Sequence, residues 1–172
     1  MKSSADVCLR PALKEDLDSI LAVESAWEST PHWTREQFAL ELGSQRSLFL
    51  VAEDGAQGRA VLGGRPRTSP GGGGAQGRAV AGYAVAWVVE AEAQVLSIAV
   101  HPSFARRGVG RALLRRLLES VRSRGCSVAT LEVSERNAAS RGLYESAGFK
   151  KTGRRLRFYP DGSDAVLMDK PL

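Results

Sequence analysis

The sequence predicts a mixed α/β fold, with helices on both faces of one sheet. Two observations support this prediction. The stretch 94–100 reads as a strand, and a long helical periodicity over 109–124 separates it from a second strand at 127–133. A crossover helix between two strands makes them parallel neighbours. In contrast, only a short acidic turn at Glu90–Glu92 separates a strand at 82–90 from 94–100, which predicts an antiparallel hairpin.

The N-terminal part of the chain also alternates between strands and helices. Val7 to Arg10 is a short strand that Pro11 ends. Apolar residues then recur at helical spacing, namely Leu13, Leu17, Ile20, Leu21 and Trp27. After a break at Ser29-Thr30-Pro31, Thr34 and Gln37 form a capping-box pattern that opens a second helix, which ends at Gly43. Ser47 to Glu53 is a strand rich in apolar residues.

Residues 54–79 differ in composition from the rest of the chain. The heptapeptide GAQGRAV occurs at 55–61 and again at 74–80, with a glycine-, proline- and arginine-rich stretch between the copies. Such a composition cannot bury a core. We therefore predict a single domain over 1–172 with a flexible insertion at 54–79 between two adjacent strands. A basic arm for RNA or ribosome contact is the functional alternative for this segment.

The strand at 94–100 and the helix after it have clear periodicities. By period two, Leu96, Ile98 and Val100 share one face of the strand, and Val95, Ser97 and Ala99 share the other. His101-Pro102 ends the strand. The helix over 109–124 buries residues spaced by four, and Gly125 is a natural left-handed cap for it.

The C-terminal part completes the sheet. A helix over 137–147 follows the strand at 127–133, and Gly148 caps it. The last two strands, 149–159 and 165–168, are predicted to pair antiparallel, with Asp161-Gly162 in the turn between them.

Length and composition limit the class of protein. The 172 residues suit one domain, and the charged and apolar fractions are ordinary for a globular protein. The net charge of +5 suits an anionic ligand, whereas a nucleic-acid binder would show denser basic clusters interleaved with aromatic residues. Cys8 and Cys126 are isolated and have no metal-binding spacing. The N-terminus lacks the apolar core of a signal peptide, so we expect a cytoplasmic protein that binds neither membrane nor nucleic acid.

The turn between strand 94–100 and helix 109–124 predicts an anion site. The first turn of a helix has unpaired N–H groups and the positive end of the helix dipole. Gly108 and Gly110 leave that backbone open to a phosphate, and Arg106, Arg107 and Arg111 add positive charge. A solvated basic turn is the alternative, and the strand and helix around the turn favour the anion site.

Three residues beyond this turn are candidates for chemistry. Glu132 lies inside an otherwise apolar strand, where a carboxylate is costly to bury. It is either a general base in a cleft or a residue that faces solvent or an arginine. Tyr144 and Asn137 lie on the next helix, where a packed aromatic ring and a helix cap are the simplest roles. Nothing in the sequence has the pattern of a nucleophile elbow or a metal site.

Two blocks of sequence identify a family. LSIAVHPSFARRGVGRALLRRLLESVRSRG and, after it, LEVSERNAASRGLYESAGF resemble the GNAT acetyltransferase superfamily. The second block is most similar to bacterial ribosomal-protein-alanine N-acetyltransferases. RPALKEDLDSILAVESAW, PHWTREQF and RFYPDGSDAVLM are also similar to that family, so the resemblance covers nearly the whole chain except 54–79.

The resemblance implies a fold, a co-substrate and residue roles. The implied fold is the GNAT mixed sheet, splayed between its two central parallel strands. The implied reaction is direct attack of a protein N-terminal α-amine, on a ribosomal protein, on acetyl-CoA in a ternary complex, with no metal. Glu132 matches the general base and Tyr144 the general acid. The implied acetyl-CoA contacts are made by Ile98, Ala99, Val100, Arg106, Arg107, Gly108, Val109, Gly110, Arg111 and Asn137.

The sequence departs from the family pattern at two places. Ala105 stands where the family often has Gln or Arg, so any contact by that side chain is missing. The insertion at 54–79 has no counterpart in the family pattern. Two alternatives to the ribosomal-protein enzyme stay open: a GNAT enzyme that acetylates a small amine or a lysine, and an inactive acyl-CoA-binding module.

Overall fold

A computed structural model describes residues 7–27, 33–55 and 79–172 of the protein. The predicted break at Ser29-Thr30-Pro31 and nearly all of the predicted insertion at 54–79 lie outside the described residues. The strands are β1 (Val7–Pro11), β2 (Ser47–Asp54), β3 (Val80–Val89), β4 (Glu92–Val100), β5 (Val128–Ser134), β6 (Lys150–Arg155) and β7 (Ala165–Pro171). The α-helices are α1 (Leu17–Ser25), α2 (Arg35–Gly43), α3 (Val109–Ser123) and α4 (Ala138–Ser146).

The strands form one mixed sheet in the order β1-β2-β3-β4-β5-β7-β6. β4 and β5 pair in parallel, and every other neighbouring pair is antiparallel. The predicted β3–β4 hairpin and the parallel pair across α3 are therefore confirmed. The C-terminal strands also pair antiparallel as predicted, and β7 lies between β5 and β6.

Helices cover both faces of the sheet, as predicted. α3 packs on one face, where Leu113, Leu117 and Val121 are buried against strand residues such as Leu131. α1 and α2 pack on the other face around an aromatic cluster, in which Phe38 contacts the rings of Trp33, Phe49 and Tyr83. Among the described residues, no helix is long and apolar enough to cross a membrane.

A β-bulge in β4 overturns the predicted face assignment of that strand. Val85 pairs with Ser97 while Ala86 pairs with Val95, so Leu96 is the extra residue on β4. The bulge puts Leu96 on the α1 side, together with Ala99, whereas Val95, Ile98 and Val100 pack toward α3. Strict period two fails here because the extra residue shifts every later side chain by one position.

Helix ends match the predicted signals in three of four helices. Thr34 and Gln37 form the capping box of α2, and the glycines after α3 and α4, Gly125 and Gly148, have positive φ angles of 90° and 92°. α1 is shorter than the predicted periodicity. Leu13 and Trp27 lie outside it and are 54% and 40% exposed.

The two C-terminal strands differ in length from the prediction. β6 ends at Arg155 instead of 159, and β7 continues to Pro171 instead of 168. The loop between them turns at Arg157, whose φ is +51°. The backbone N–H of Arg157 donates to the buried Asp164 carboxylate at 2.7 Å, and this contact holds the loop away from the ladder.

Candidate active site

The sheet opens between its two parallel strands. β4 and β5 pair from Glu92 and Val128 to Val95 and Leu131, and the pairing stops there. β5 stays paired with β7 along its whole length, so β4 and β5 separate along their C-terminal halves. This gap is the splay that the family resemblance implied, and it begins one residue before Glu132.

The β4 edge of the gap presents free backbone groups. His101 donates its N–H to Ala81 at 2.9 Å, and hydrogen-bonded and non-hydrogen-bonded pairs alternate along an antiparallel ladder. Ala99 therefore bonds to Tyr83 of β3, whereas the backbone groups of Ile98 and Val100 point into the gap. One of these is in use, because the Trp27 indole donates to the Val100 carbonyl at 3.0 Å.

The turn before α3 has the geometry of an anion cradle. Gly108 is the N-cap with a φ of +84°, and Arg106 also has a positive φ, of +60°. Arg106, Arg107 and Arg111 are exposed, and the Arg107 guanidinium stacks on Phe104, 5.4 Å from the ring centroid. Their charge and the free N–H groups of the first helical turn follow directly after the C-terminal end of β4.

Gly110 leaves space between α3, β4 and α4. A Cβ atom at this position would lie 3.6 Å from side-chain carbons of both Val100 and Leu143. A Cβ atom would therefore make ordinary van der Waals contacts with both side chains, and the glycine leaves that small volume unfilled. Val109, next to it, is buried and anchors the helix in the core.

Asn137 caps α4 as the simplest interpretation predicted. Its Oδ1 accepts the backbone N–H of Ser140 at 3.0 Å. The side chain is exposed, so its amide N–H₂ group is available to a ligand while the cap is made.

Glu132 lies on the face of β5 away from α3. Ala129, Leu131 and Val133 are buried on the α3 face, and Glu132 shares the other, half-buried face with Val128 and Thr130. The Glu132 carboxylate pairs with Arg155 of β6 at 3.1 Å, and its side chain is 22% exposed. Glu132 therefore meets an arginine, as one of the two sequence interpretations required, and it also stays accessible as a base.

Tyr144 is buried where α4 packs on the sheet. It is 7% exposed, and its ring packs edge-on against Phe149, with the ring centroids 5.8 Å apart. Within the described residues its hydroxyl has no hydrogen-bond partner. Burial, with a smaller effect of charge on Tyr159, raises the pKa of Tyr144 to about 12. The phenol therefore carries its proton at neutral pH.

The sequence analysis missed Tyr159, in the loop between β6 and β7. This tyrosine is half-buried, and its pKa is raised by burial and then by the negative charges of Glu132 and Asp161. The loop is held by Asp164, which pairs with Arg154 at 2.5 Å, and by Asp161, whose Oδ1 accepts the Ser163 hydroxyl at 2.6 Å. The sequence feature that indicated Tyr159 is the RFYPDGSD segment, because a Pro-Asp-Gly turn restricts the backbone beside the tyrosine that precedes it.

A buried polar group on the α1 side was not predicted from the sequence. Tyr83 of β3 donates its hydroxyl to the buried Glu24 carboxylate and lies 3.0 Å from the Ser97 hydroxyl. Glu24 also accepts the Trp33 N–H at 3.1 Å. Burial and the Glu24 charge raise the pKa of Tyr83, and a smaller effect comes from Tyr144.

Comparisons with known proteins agree with this geometry. The sequence model described as Acetyltransferase (GNAT) family matches residues 14–149. The [Ribosomal protein bS18]-alanine N-acetyltransferase of Escherichia coli (strain K12) is 42% identical over 160 residues, which cover 91% of this chain and 92% of that protein.

Solved structures share the fold. The crystal structure of the ribosomal-protein-S18-alanine N-acetyltransferase from Escherichia coli superposes with a TM-score of 0.75 and 31% identity, over 96% of this chain and 93% of that one. The yncA protein of Salmonella typhimurium, solved with its cofactor acetyl-CoA, superposes with a TM-score of 0.73 and 22% identity, over 96% and 94% of the two chains.

Proposed function

The chain belongs to the acetyltransferase (GNAT) family, and from this premise we propose that it acetylates the N-terminal α-amine of a ribosomal protein in the cytoplasm. Acetyl-CoA is the donor. The support for this acceptor is the 42% identity, over 91% of the chain, to an enzyme named [Ribosomal protein bS18]-alanine N-acetyltransferase.

One observation carries the proposal: β4 and β5 part beyond Val95 and Leu131, with Glu132 on β5 directly after the last pair and the cradle following the end of β4. Such an arrangement suits acetyl-CoA, which has an anionic pyrophosphate, a long amide-containing arm and a thioester. The pyrophosphate would lie on the cradle, Arg106 to Arg111, with Asn137 beside it. The free backbone groups of Ile98 and Val100 suit the amides of the arm. Ala99 uses its own groups in the ladder, so we assign it no backbone contact.

In the proposed reaction a C–N bond to the acetyl carbon forms and the C–S bond breaks. An α-amine with a pKa of about 8 is partly protonated at neutral pH and must lose a proton to attack. We assign this proton to Glu132, which accepts it directly or through water. Tyr144 donates its proton to the departing sulfur, and the second proton, which the nitrogen loses as the amide forms, restores the phenol. A free N–H of Ile98 or Val100 offers a fixed donor to the negative charge on the carbonyl oxygen.

Two neighbours hold Glu132 for this role. Arg155 pairs with the carboxylate at 3.1 Å, and its guanidinium also stacks on Phe158, 5.4 Å from the ring centroid. Tyr159 lies close enough to the same carboxylate for the charge of Glu132 to help raise the pKa of the Tyr159 phenol. The incoming amine would therefore pass between the loop that carries Phe158 and Tyr159 and the edge of β5.

The test is transfer of labelled acetyl from acetyl-CoA to a panel of acceptors. The panel holds peptides with a free N-terminal alanine from ribosomal proteins, the same peptides blocked at the N-terminus but carrying lysine, and polyamines. We expect kcat/KM to be highest for a free N-terminal peptide. Preference for lysine or a polyamine would support a GNAT enzyme of another class. Acetyl-CoA binding without transfer to any acceptor would indicate a binding module.

A further inference from the structure

Four exposed arginines on α3 and at its C-cap are not used by the proposed reaction. We name Arg115, Arg116, Arg122 and Arg124 the arginine ridge. All four are exposed. The helix carries one carboxylate, Glu119, which pairs weakly with Arg115 at 3.8 Å. The ridge therefore keeps most of its positive charge uncompensated.

Five arginines elsewhere in the described part of the chain, those at positions 10, 35, 136, 154 and 155, each lie within ion-pair distance of a carboxylate. In the same part of the chain, Arg116, Arg122 and Arg124 have no carboxylate within that distance and no hydrogen-bonded guanidinium. Single arginines such as Arg46 and Arg157 share this property, so the distinguishing feature of the ridge is that its four exposed arginines lie close together within 115–124.

The ridge is separate from the cradle for acetyl-CoA. The cradle occupies the N-terminal end of α3, up to Arg111, and the ridge starts one turn later. At about 1.5 Å per residue, the ridge spans roughly 14 Å from Arg115 to Arg124. A pyrophosphate at the start of the helix does not reach its far end.

We propose that the arginine ridge binds the phosphate backbone of RNA. Arginine presents a planar fork of donors that matches phosphate oxygens, and it remains charged at every physiological pH. Four such groups spread over 115–124 suit a ligand with repeated negative charges better than an acidic protein with scattered carboxylates. The exposed residues on this surface are charged or polar, with no apolar side chain to enter a lipid bilayer, so an anionic membrane fits less well.

The same surface defines the kind of RNA binding. The ridge consists of arginines and includes no aromatic side chain on which a base could stack. The lack of aromatic residues among basic clusters was the reason why composition predicted no nucleic-acid binding. Backbone contacts need no such ring, and they give binding that is independent of sequence and sensitive to salt. Four phosphate contacts on a single strand predict a loss of affinity of about fiftyfold between 50 and 200 mM salt.

The test uses the full chain and a labelled single-stranded RNA of about 20 nucleotides, followed by fluorescence anisotropy over a salt series. The test variant is R116Q/R122Q, and the control is R35Q/R46Q, which removes the same charge from other surfaces. We expect the test variant to raise Kd about tenfold at low salt and to reduce the salt slope by about 1.4, and the control to change Kd by less than about twofold. The test variant should acetylate a short peptide at the wild-type rate.

Several outcomes would overturn the proposal. Equal losses in both variants would mean that net charge alone binds the RNA. Displacement of the RNA by saturating CoA would place it on the cradle. Binding of the wild type to vesicles of anionic phospholipid, lost in R116Q/R122Q and without RNA binding, would make a membrane the partner. None of these results depends on which amine is acetylated, so the proposed function is tested separately.

Discussion

The substitution Tyr144→Phe separates catalysis from folding more cleanly than any other change at this site. The Tyr144 hydroxyl has no hydrogen-bond partner within the described residues, and the ring keeps its contact with Phe149 when the oxygen is removed. We therefore expect no lost protein hydrogen bond and a change in the free energy of unfolding within about 0.5 kcal/mol.

The effect on turnover should be large in comparison. Without the phenol the departing thiolate has no positioned proton donor, and general acid catalysis contributes roughly 10²-fold or more. A loss of this size corresponds to about 2.7 kcal/mol at the transition state. The expected result is kcat reduced about a hundredfold with unchanged affinity for acetyl-CoA. The assay is steady-state acetylation of the best peptide, with urea unfolding of the same samples.

The matched control is Tyr83→Phe, which removes a hydroxyl that does have partners. The Tyr83 hydroxyl donates to the buried Glu24 carboxylate and contacts Ser97. Its loss leaves a buried charge with one donor fewer, which costs about 1.5–3 kcal/mol of stability. Tyr144→Phe should lose turnover and keep its stability, whereas Tyr83→Phe should lose stability. Near wild-type turnover in Tyr144→Phe, or a stability loss equal to that of Tyr83→Phe, would refute the assignment of Tyr144 as the acid.

The raised pKa of Tyr144 adds a pH signature to the same experiment. The folded pKa is about 12, and the unfolded pKa is about 10. The raised pKa stabilises the folded protein against ionisation fully below pH 10, and this contribution to the free energy of unfolding is lost as the pH rises toward 12. The loss for this group is of the order of 2–3 kcal/mol. Stability measured from pH 9 to 11 should fall less steeply in Tyr144→Phe than in the wild type.

Three further predictions concern the base, the cradle and the insertion. Glu132→Gln should lower turnover at nearly unchanged CoA affinity, and wild-type turnover in this variant would require another base. Gly108→Ala should weaken CoA binding in calorimetry more than Arg106→Ala, because φ is +84° at Gly108; the reverse order would assign the site to side-chain charge. Replacing 56–78 by a short turn should leave Tm nearly unchanged, since Asp54 N–H already bonds the Ala79 carbonyl at 3.0 Å, and a large loss of Tm would contradict this.

Local periodicity predicted the parts of the fold in which one face of an element is buried. Val109, Leu113, Leu117 and Val121 recur every four residues, and all four are buried in α3. The glycine after this helix also has the left-handed conformation that its position suggested. In such elements, the burial of each residue depends mainly on its position in its own helix or strand, so the local sequence is enough to predict it.

The rest of the site depends on contacts between distant parts of the chain. The bulge at Leu96 changes the faces of β4, and nothing in the strand sequence marks it. The pairing of Glu132 with Arg155 joins two strands that are not neighbours in the sheet, because β7 lies between β5 and β6. Trp27 lies beyond the end of α1, and its indole bonds the Val100 carbonyl, a tertiary contact that helical spacing does not reveal.

The surroundings of the two carboxylates near the gap decide which of them is the base. Glu24 is buried, and its oxygens accept the Tyr83 hydroxyl and the Trp33 N–H, so a proton added there would break bonds that hold α1 to the sheet. Glu132 is accessible, and Arg155 pairs with its Oε1. All three tyrosines have raised pKa values and stay protonated at neutral pH, so none of them competes for the proton of the amine. For these reasons we propose Glu132, and not the buried Glu24, as the base.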